Sequence, residues 1–509
     1  MSTLSNALAA LSPERLRGMR RGVEKESLRV QADGRLAMTP HPAALGSPLT
    51  HPHITNDFSE SQLELVTGAH GSVESAEAEL TQIHQAVYRA LGDEMLWVAS
   101  MPCGLPSDEN IPIARFGSSN IGRSKSVYRM GLGMRYGRRM QTISGIHYNW
   151  SMPGLSNPEY FGLIRNFRRH SFVLLTLFGA SPAVCPSFVA DRAHDLQRLS
   201  EHTLYLPFAT SLRMGRLGYQ SDAQAALAVS YNSLEDYAGS LLGALVRPHP
   251  PYQQVGIRGP GGEYLQLSDS LLQIENEFYG TIRPKRVIQR GERALHALRA
   301  RGVEYVEVRC MDLDPFEPVG IGADTMRVLD LFLLHCLLSA SPDDSPEEIA
   351  RLARNQHLAA ARGREPGLQL ESADGERTLT EWASQVLADC APIADRVDAA
   401  LGGQAYAAAL DAARATIAEP RRLPSARVLE TMARDFRQSY TAFVRAQSAG
   451  TREALLRLPY PDELAIRFEA MARQSLQDQL QLEAGDTLPF EAYRQQYLLP
   501  ERLEAPAAS

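Results

Sequence analysis

The stretch "RRGVEKESLRV", residues 20–30, sets Glu24 and Glu26 two positions apart in a run with strand character. Strand side chains alternate with a period of two, so both carboxylates leave by one face. Like charges held that close repel unless something positive lies between them. The same pattern recurs along the chain. In "VEYVEVR" Glu307 and Arg309 share a face, with Val306 and Val308 behind. In "GIHYNW" His147 and Asn149 share one, opposite Ile146, Tyr148 and Trp150, and in "QIENE" Gln273, Glu275 and Glu277 align in front of Ile274. An antiparallel sheet with one solvated face alternates in this way. Solvated faces, however, are usually rich in Lys and Thr, whereas carboxylates plus one imidazole are hard-cation chemistry.

Around these strands the chain has ordinary globular composition: 509 residues, 44% apolar and 22% charged. A net charge of −7 argues against a general nucleic-acid binder. No signal peptide is evident. The apolar runs "SFVLLTLFGASPAVC" and "VLDLFLLHCLLSA" are too short to span a bilayer and read as core helices. Cys103, Cys185, Cys310, Cys336 and Cys390 are far apart in the sequence, which excludes the usual zinc signatures and suits a reduced, cytoplasmic protein. Residues 1–340 mix strand and helix signals, and residues 341–509 read as almost all helix. The fold class expected is therefore α+β, an antiparallel sheet with surrounding helices and a mainly helical C-terminal region packed on it. "GVEKESLRVQADGRLAM" reads as a hairpin through its Asp-Gly turn, and "SARVLETMARDFRQSYTAFVRAQSAG" as one long amphipathic run.

Asp57 and Glu64, in "TNDFSESQLELVT", are seven apart and would leave a flat strand by opposite faces. They converge only if a turn intervenes, and "NDFSES" has the residues for one. Two metals with three protein ligands each need about six groups, and the chain offers Glu24, Glu26, Asp57, Glu64, His147 and Glu307. The counterpart is basic. Residues 115–140 carry seven Arg or Lys and no acid, and "TIRPKRV" adds Arg283, Lys285 and Arg286. Such Gly- and Ser-rich basic segments suit phosphate or carboxylate, though a solvated basic surface has the same composition.

With these residues in view, the sequence resembles the proteobacterial type of glutamate–cysteine ligase (γ-glutamylcysteine synthetase), a family related to glutamine synthetase. The resemblance is carried by "RGVEKESLRV", "ALGSPLTHPHITNDFSESQLEL", "SMPCGLP", "GSSNIGRSKSVYR", "RYGRRMQTISGIHYNWSMP", "LFGASPAVCPSF", "ATSLRMGRLGYQ", "LQIENEFYGTIRPKR" and "GVEYVEVRCMDLDPF", nearly collinear from residue 20 to about 335. It implies a sheet curved into a funnel around the active site. It also implies ATP- and Mg²⁺-dependent ligation of the γ-carboxylate of L-glutamate to the amine of L-cysteine through an acyl phosphate, the first step of glutathione biosynthesis. Glu26, Asp57 and Glu64 then belong to one magnesium and Glu24, His147 and Glu307 to another, with Glu275 a candidate for a third ion and Mn²⁺ as an alternative metal. Arg309 stabilises the transferring phosphoryl group, Arg283 and Lys285 contact the triphosphate, and Arg213 holds glutamate. Phe58, Tyr128, Leu132, Gln141, Tyr219 and Tyr279 match the cysteine pocket. Glutathione is implied as a feedback inhibitor, with no nucleic-acid or membrane partner. A sister ligase using another amine and a non-catalytic nucleotide sensor are the competing readings; the sensor leaves Arg309 without a task.

Overall fold

In the computed structural model, which describes residues 3–190, 192–218, 222–225 and 227–504, the period-two stretches become strands. They are Arg20–Val30 (β1), Ile54–Asn56 (β2), Gln62–Val66 (β3), Met95–Leu96 (β4), Ile146–Ser151 (β5), Ile282–Lys285 (β6) and Tyr305–Met311 (β7). They form one antiparallel sheet in the order β2-β3-β1-β5-β7-β6, with β4 paired to the end of β1. The register decides the chemistry. Glu24 lies opposite His147, Glu26 opposite Glu64, and Glu307 between Asn149 and Arg283.

The reverse of the sheet is the core. Val23, Tyr148, Trp150, Val306 and Val308 are fully buried there, each apolar side chain contributing roughly 1.5–3 kcal/mol. Helices Asn157–His170 and Ala323–Leu338 pack together behind it, with Phe167 and Phe332 meeting edge to face at 5.6 Å. The first is held at its start by a capping box between Ser156 and Glu159.

One charge in this core is structural. Asp330, in the apolar run expected to be a core helix, pairs with Arg21 of β1 at 2.9 Å. It also accepts hydrogen bonds from Tyr148 of β5 at 2.7 Å and from Tyr406 at 2.8 Å. Two neighbouring strands and a C-terminal helix, Ala405–Ala418, are thus pinned to one carboxylate. Asp330→Ala strands a buried guanidinium, which costs about 3–5 kcal/mol. The expected outcome is a correspondingly lower denaturant midpoint with unchanged slope; a shift below ~1 kcal/mol contradicts the pinning.

Three expectations need correction. "QIENE" is not a strand: Glu275–Glu277 form a 3₁₀ turn. The Glu275 carboxylate is taken up by Arg293 at 2.8 Å and by the Leu295 N–H at 3.0 Å, so it is not available to a third ion. Glu277 is likewise bound, by Arg135 and Tyr136, both at 2.8 Å. The long run at 425–450 breaks into helices Pro424–Asp435 and Tyr440–Arg457, because Arg437 and Gln438 adopt φ of 49° and 62°. The C-terminal region also contains a hairpin, Gln369–Ser372 with Gly375–Thr378. The hairpin after β1 is minimal, closing through a single bridge from Val30 to Leu36. Among the described residues no helix is long and apolar enough to cross a membrane.

Candidate active site

The polar face of β1, β3, β5 and β7 gathers the acids. Ligand atoms of Glu24, His147 and Glu307 lie within 4.8 Å of one another, and so do those of Glu26, Glu64 and His147. His147 stands between the two groups. Its Nδ1 is 3.1 Å from Glu24 and its Nε2 is 3.5 Å from Glu26. The turn between β2 and β3 brings Asp57 near enough to repel both Glu26 and Glu64. Glu26 is anchored by the backbone N–H of Gly145 at 2.7 Å, and Asn149 donates to Glu24 at 2.8 Å.

Charge is unevenly distributed along this face. At the β7 end Glu307 faces Lys285 at 3.3 Å, Arg309 at 3.1 Å and Arg283 at 3.8 Å. Burial alone would raise the Glu307 carboxyl. Lys285, Arg309, His147 and Arg283 outweigh burial and hold it well below the usual carboxylate range. Glu24 is also held low: its burial and the repulsion from Glu307 are outweighed by the hydrogen bond and charge of His147 and by Lys285. At the β3 end the balance reverses. Burial and then Asp57 push Glu26 up to about 8, against Arg213 and Arg309. Burial and then Glu24, Asp57 and Glu26 push Glu64 well above its ordinary value, against Arg129.

A buried and a half-buried carboxylate, Glu26 and Glu64, that the protein's own cations leave under-neutralised, beside a buried His147 Nε2 with no hydrogen-bond partner, form a donor set that fits a divalent cation. His147 has one lone pair to give when neutral, so it serves one group at a time while its other nitrogen donates.

The other expected residues fall as follows. Arg213 is fully buried and donates to the Arg309 carbonyl at 2.8 Å. It lies against Gly145, where a Cβ would sit 2.1 Å from its guanidinium and force that side chain to shift. Arg283 donates to the carbonyls of Asn276 and Phe278, which leaves it less free for a ligand than Lys285. Phe58 and Leu132 are buried in one apolar cluster against which Tyr128 and Tyr279 pack. Gln141 donates to the Tyr279 hydroxyl at 2.9 Å, and Tyr219 lies outside the described residues.

Sequence reasoning missed the scaffold of Tyr279. Gln224 accepts its backbone N–H at 3.1 Å and donates to the Tyr136 hydroxyl at 3.0 Å, and the Tyr136 ring meets Tyr279 edge to face at 5.6 Å. Gln224 is far from these partners in sequence, so no local signal marks it. The basic segment divides. Arg129 and Lys125 approach the acidic face, where each is coupled to Glu64. Arg138 and Arg139 instead donate to backbone carbonyls, and Arg135 neutralises Glu277. Arg286 binds the carbonyls of Arg301 and Gly302, away from Glu307.

Comparison with known proteins agrees with this geometry. The sequence profile described as glutamate–cysteine ligase matches residues 6–157 and 154–359. The glutamate–cysteine ligase of Azotobacter vinelandii is 48% identical over 499 residues, 94% of each chain. That of Alcanivorax borkumensis is 45% identical over 516 residues, 97% of this chain and 98% of the other. A crystal structure of the Francisella tularensis glutamate–cysteine ligase in complex with AMP superposes with a TM-score of 0.90 at 35% identity, covering 94% of this chain and 97% of that one. A bifunctional glutathione synthetase from Pasteurella multocida, at 23% identity and a TM-score of 0.69, shares the fold. With the α+β architecture, the antiparallel sheet and the profile all in agreement, this chain belongs to the glutamate–cysteine ligase family.

Proposed function

We propose that the protein joins the γ-carboxylate of L-glutamate to the amine of L-cysteine at the expense of ATP, giving γ-glutamylcysteine, ADP and phosphate, the first step of glutathione biosynthesis. The observation that carries this reading is the single sheet face on which two carboxylate–imidazole groups adjoin Arg309, Lys285 and Arg283. Transferring a phosphoryl group onto a carboxylate brings like charges together, and such a face counters them.

Glu24, His147 and Glu307 would hold one Mg²⁺ and Glu26, Asp57 and Glu64 the other, with Mn²⁺ as an alternative. Ions bound there supply charge neutralisation for the phosphates and the carboxylate. Arg309, anchored on Glu307 at 3.1 Å, would present its guanidinium to the transferring phosphoryl group. Lys285, a quarter exposed, meets the triphosphate as a point charge, and Arg283 stiffens the same corner through its two carbonyl bonds. Arg213 orients glutamate, acting across Gly145 and the Arg309 backbone. Phe58, Tyr128, Leu132, Gln141, Tyr219 and Tyr279 receive the side chain of cysteine. Glutathione, which carries the same γ-glutamyl group, competes at the glutamate position. The reaction suits a cytoplasmic enzyme with access to ATP.

The amine does the chemistry while the thiol only fills a pocket. 2-Aminobutyrate, with a methyl in place of the thiol, is therefore expected to support ATP-dependent peptide formation. Its kcat/KM should fall no more than roughly 10- to 200-fold below that of cysteine. Serine, which must desolvate a hydroxyl, is expected to be poorer than either. The assay is ADP release and peptide detection with ATP, Mg²⁺ and glutamate, with each acceptor and with none. Complete inertness of 2-aminobutyrate beside brisk cysteine turnover sinks this mechanism, and preference for another amine reassigns the acceptor.

A further inference from the structure

Cys103 and Cys185, remote in sequence, are brought together beside the start of helix Tyr440–Arg457, and the ligation chemistry uses neither. Cys103 is 1% exposed, in the loop that follows β4, whereas Cys185 follows the short strand Ala183–Val184 and is partly exposed. One hydroxyl lies against both sulfurs. Thr441, in the first turn of that helix, places its hydroxyl 2.8 Å from the Cys103 sulfur and 3.8 Å from the Cys185 sulfur. Ser187 donates its hydroxyl to the Cys185 sulfur at 3.4 Å.

The pair is asymmetric. The Thr441 and Ser187 hydroxyls both face the Cys185 sulfur, and the helix N-terminus adds partial positive charge. The neighbouring Cys103 thiol, followed by the hydrogen bonds of Ser187, outweighs burial and draws the Cys185 thiol down to about 5. The Cys185 neighbour, with burial, pushes Cys103 up. An accessible sulfur with thiolate character beside a buried thiol is the arrangement that reacts with disulfides and then resolves the product. The other cysteines provide the contrast. Cys310, Cys336 and Cys390 are all buried, and burial raises each thiol.

We propose that Cys103 and Cys185 form a thiol–disulfide exchange site, with Cys185 as attacking sulfur, Cys103 as resolving thiol, and a low-molecular-weight disulfide as the reactant. In the first step the Cys185 thiolate attacks one sulfur of the disulfide, the S–S bond of the reactant breaks, and a small thiolate leaves. Cys103 then passes its proton to that thiolate and attacks the Cys185 sulfur, expelling the second half of the reactant. The protein loses two hydrogens and the disulfide gains them as two thiols; no other oxidant is needed.

The test uses reduced full-length protein and bis(2-hydroxyethyl) disulfide, with free thiols trapped at intervals and located by peptide mass mapping. The wild type is expected to lose the Cys103 and Cys185 thiols together and to gain an internal bridge without a lasting adduct. Cys103→Ala is expected to stop at a mixed disulfide on Cys185. Cys185→Ala is expected to slow modification of Cys103 at least about tenfold, because the thiolate is gone. Thr441→Val keeps both thiols and removes a donor; it is expected to slow the first step, so the test survives if a cysteine variant fails to fold. The proposal is overturned by first attack at Cys310, Cys336 or Cys390, by a wild-type adduct that never resolves, by undiminished labelling of Cys103 in Cys185→Ala, or by no reaction while an unfolded control reacts fully.

Discussion

Glu307→Gln is expected to lower kcat by about 10³-fold or more, the several kcal/mol that a metal contributes to a charge-dense transition state. Gln keeps the volume but removes the anion on which Arg309, Lys285 and Arg283 converge. On the proposed assignment the variant loses a metal ligand and the anchor of Arg309 together. Raised Mg²⁺ should restore little of the rate, since three cations then adjoin without a counter-charge. Glu24→Gln is the informative companion. It too removes a ligand, but it relieves the repulsion that Glu24 exerts on Glu64. Its activity should also collapse, with partial recovery at high Mg²⁺, while its metal-free thermal stability falls less than that of Glu307→Gln, whose carboxylate the neighbouring cations hold further below its ordinary value. Steady-state rates across a Mg²⁺ series, with melting curves in chelator, check both. Wild-type rates for either variant at ordinary Mg²⁺ refute the two-metal assignment.

Arg309→Lys separates charge from geometry. One guanidinium nitrogen is 3.1 Å from Glu307, and the backbone carbonyl of the same residue seats Arg213. The backbone contact survives the substitution, so Arg213 stays seated and the effect reports the side chain. Lysine retains the charge but has no planar fork to span Glu307 and a phosphoryl oxygen at once. The expected loss is roughly 10²-fold or more in kcat, as for removal of a comparable transition-state donor, with a smaller change in the KM for ATP. A fully active lysine variant would reduce Arg309 to a source of charge alone.

How much of this was legible in the sequence depends on the range of the deciding interaction. The polar faces of β1, β5 and β7 follow from local alternation, and the sheet register brings Glu24, His147 and Glu307 together. The turn residues after Asn56 foretold that Asp57 and Glu64 approach. Alternation misled at "QIENE", where Glu275 and Glu277 are claimed by Arg293 and Arg135, partners that no local pattern reveals. The break at Arg437 and Gln438 carries neither Gly nor Pro, so nothing announces its left-handed backbone. The hairpin at 369–378 is different, because its Asp374-Gly375 step is the same turn signal as Asp33-Gly34. A helix-rich composition around it obscured that signal. Lys25 was the least legible. It points away from the acidic face of β1 into the core, fully buried, with His84 Nε2 at 2.8 Å as its partner. Alternation puts it on the reverse face but not that a histidine from helix Val73–Ala90 will meet it.

The central claim is that the γ-carboxylate of glutamate is phosphorylated on this sheet face before the amine attacks. Oxygen tracing tests it directly. Glutamate carrying ¹⁸O in both γ-carboxylate oxygens is turned over with ATP, Mg²⁺ and cysteine, and the released phosphate is analysed by mass. The account predicts one ¹⁸O in each phosphate, because the carboxylate oxygen that accepts the phosphoryl group leaves with it. Phosphate free of label at full γ-glutamylcysteine formation would contradict it.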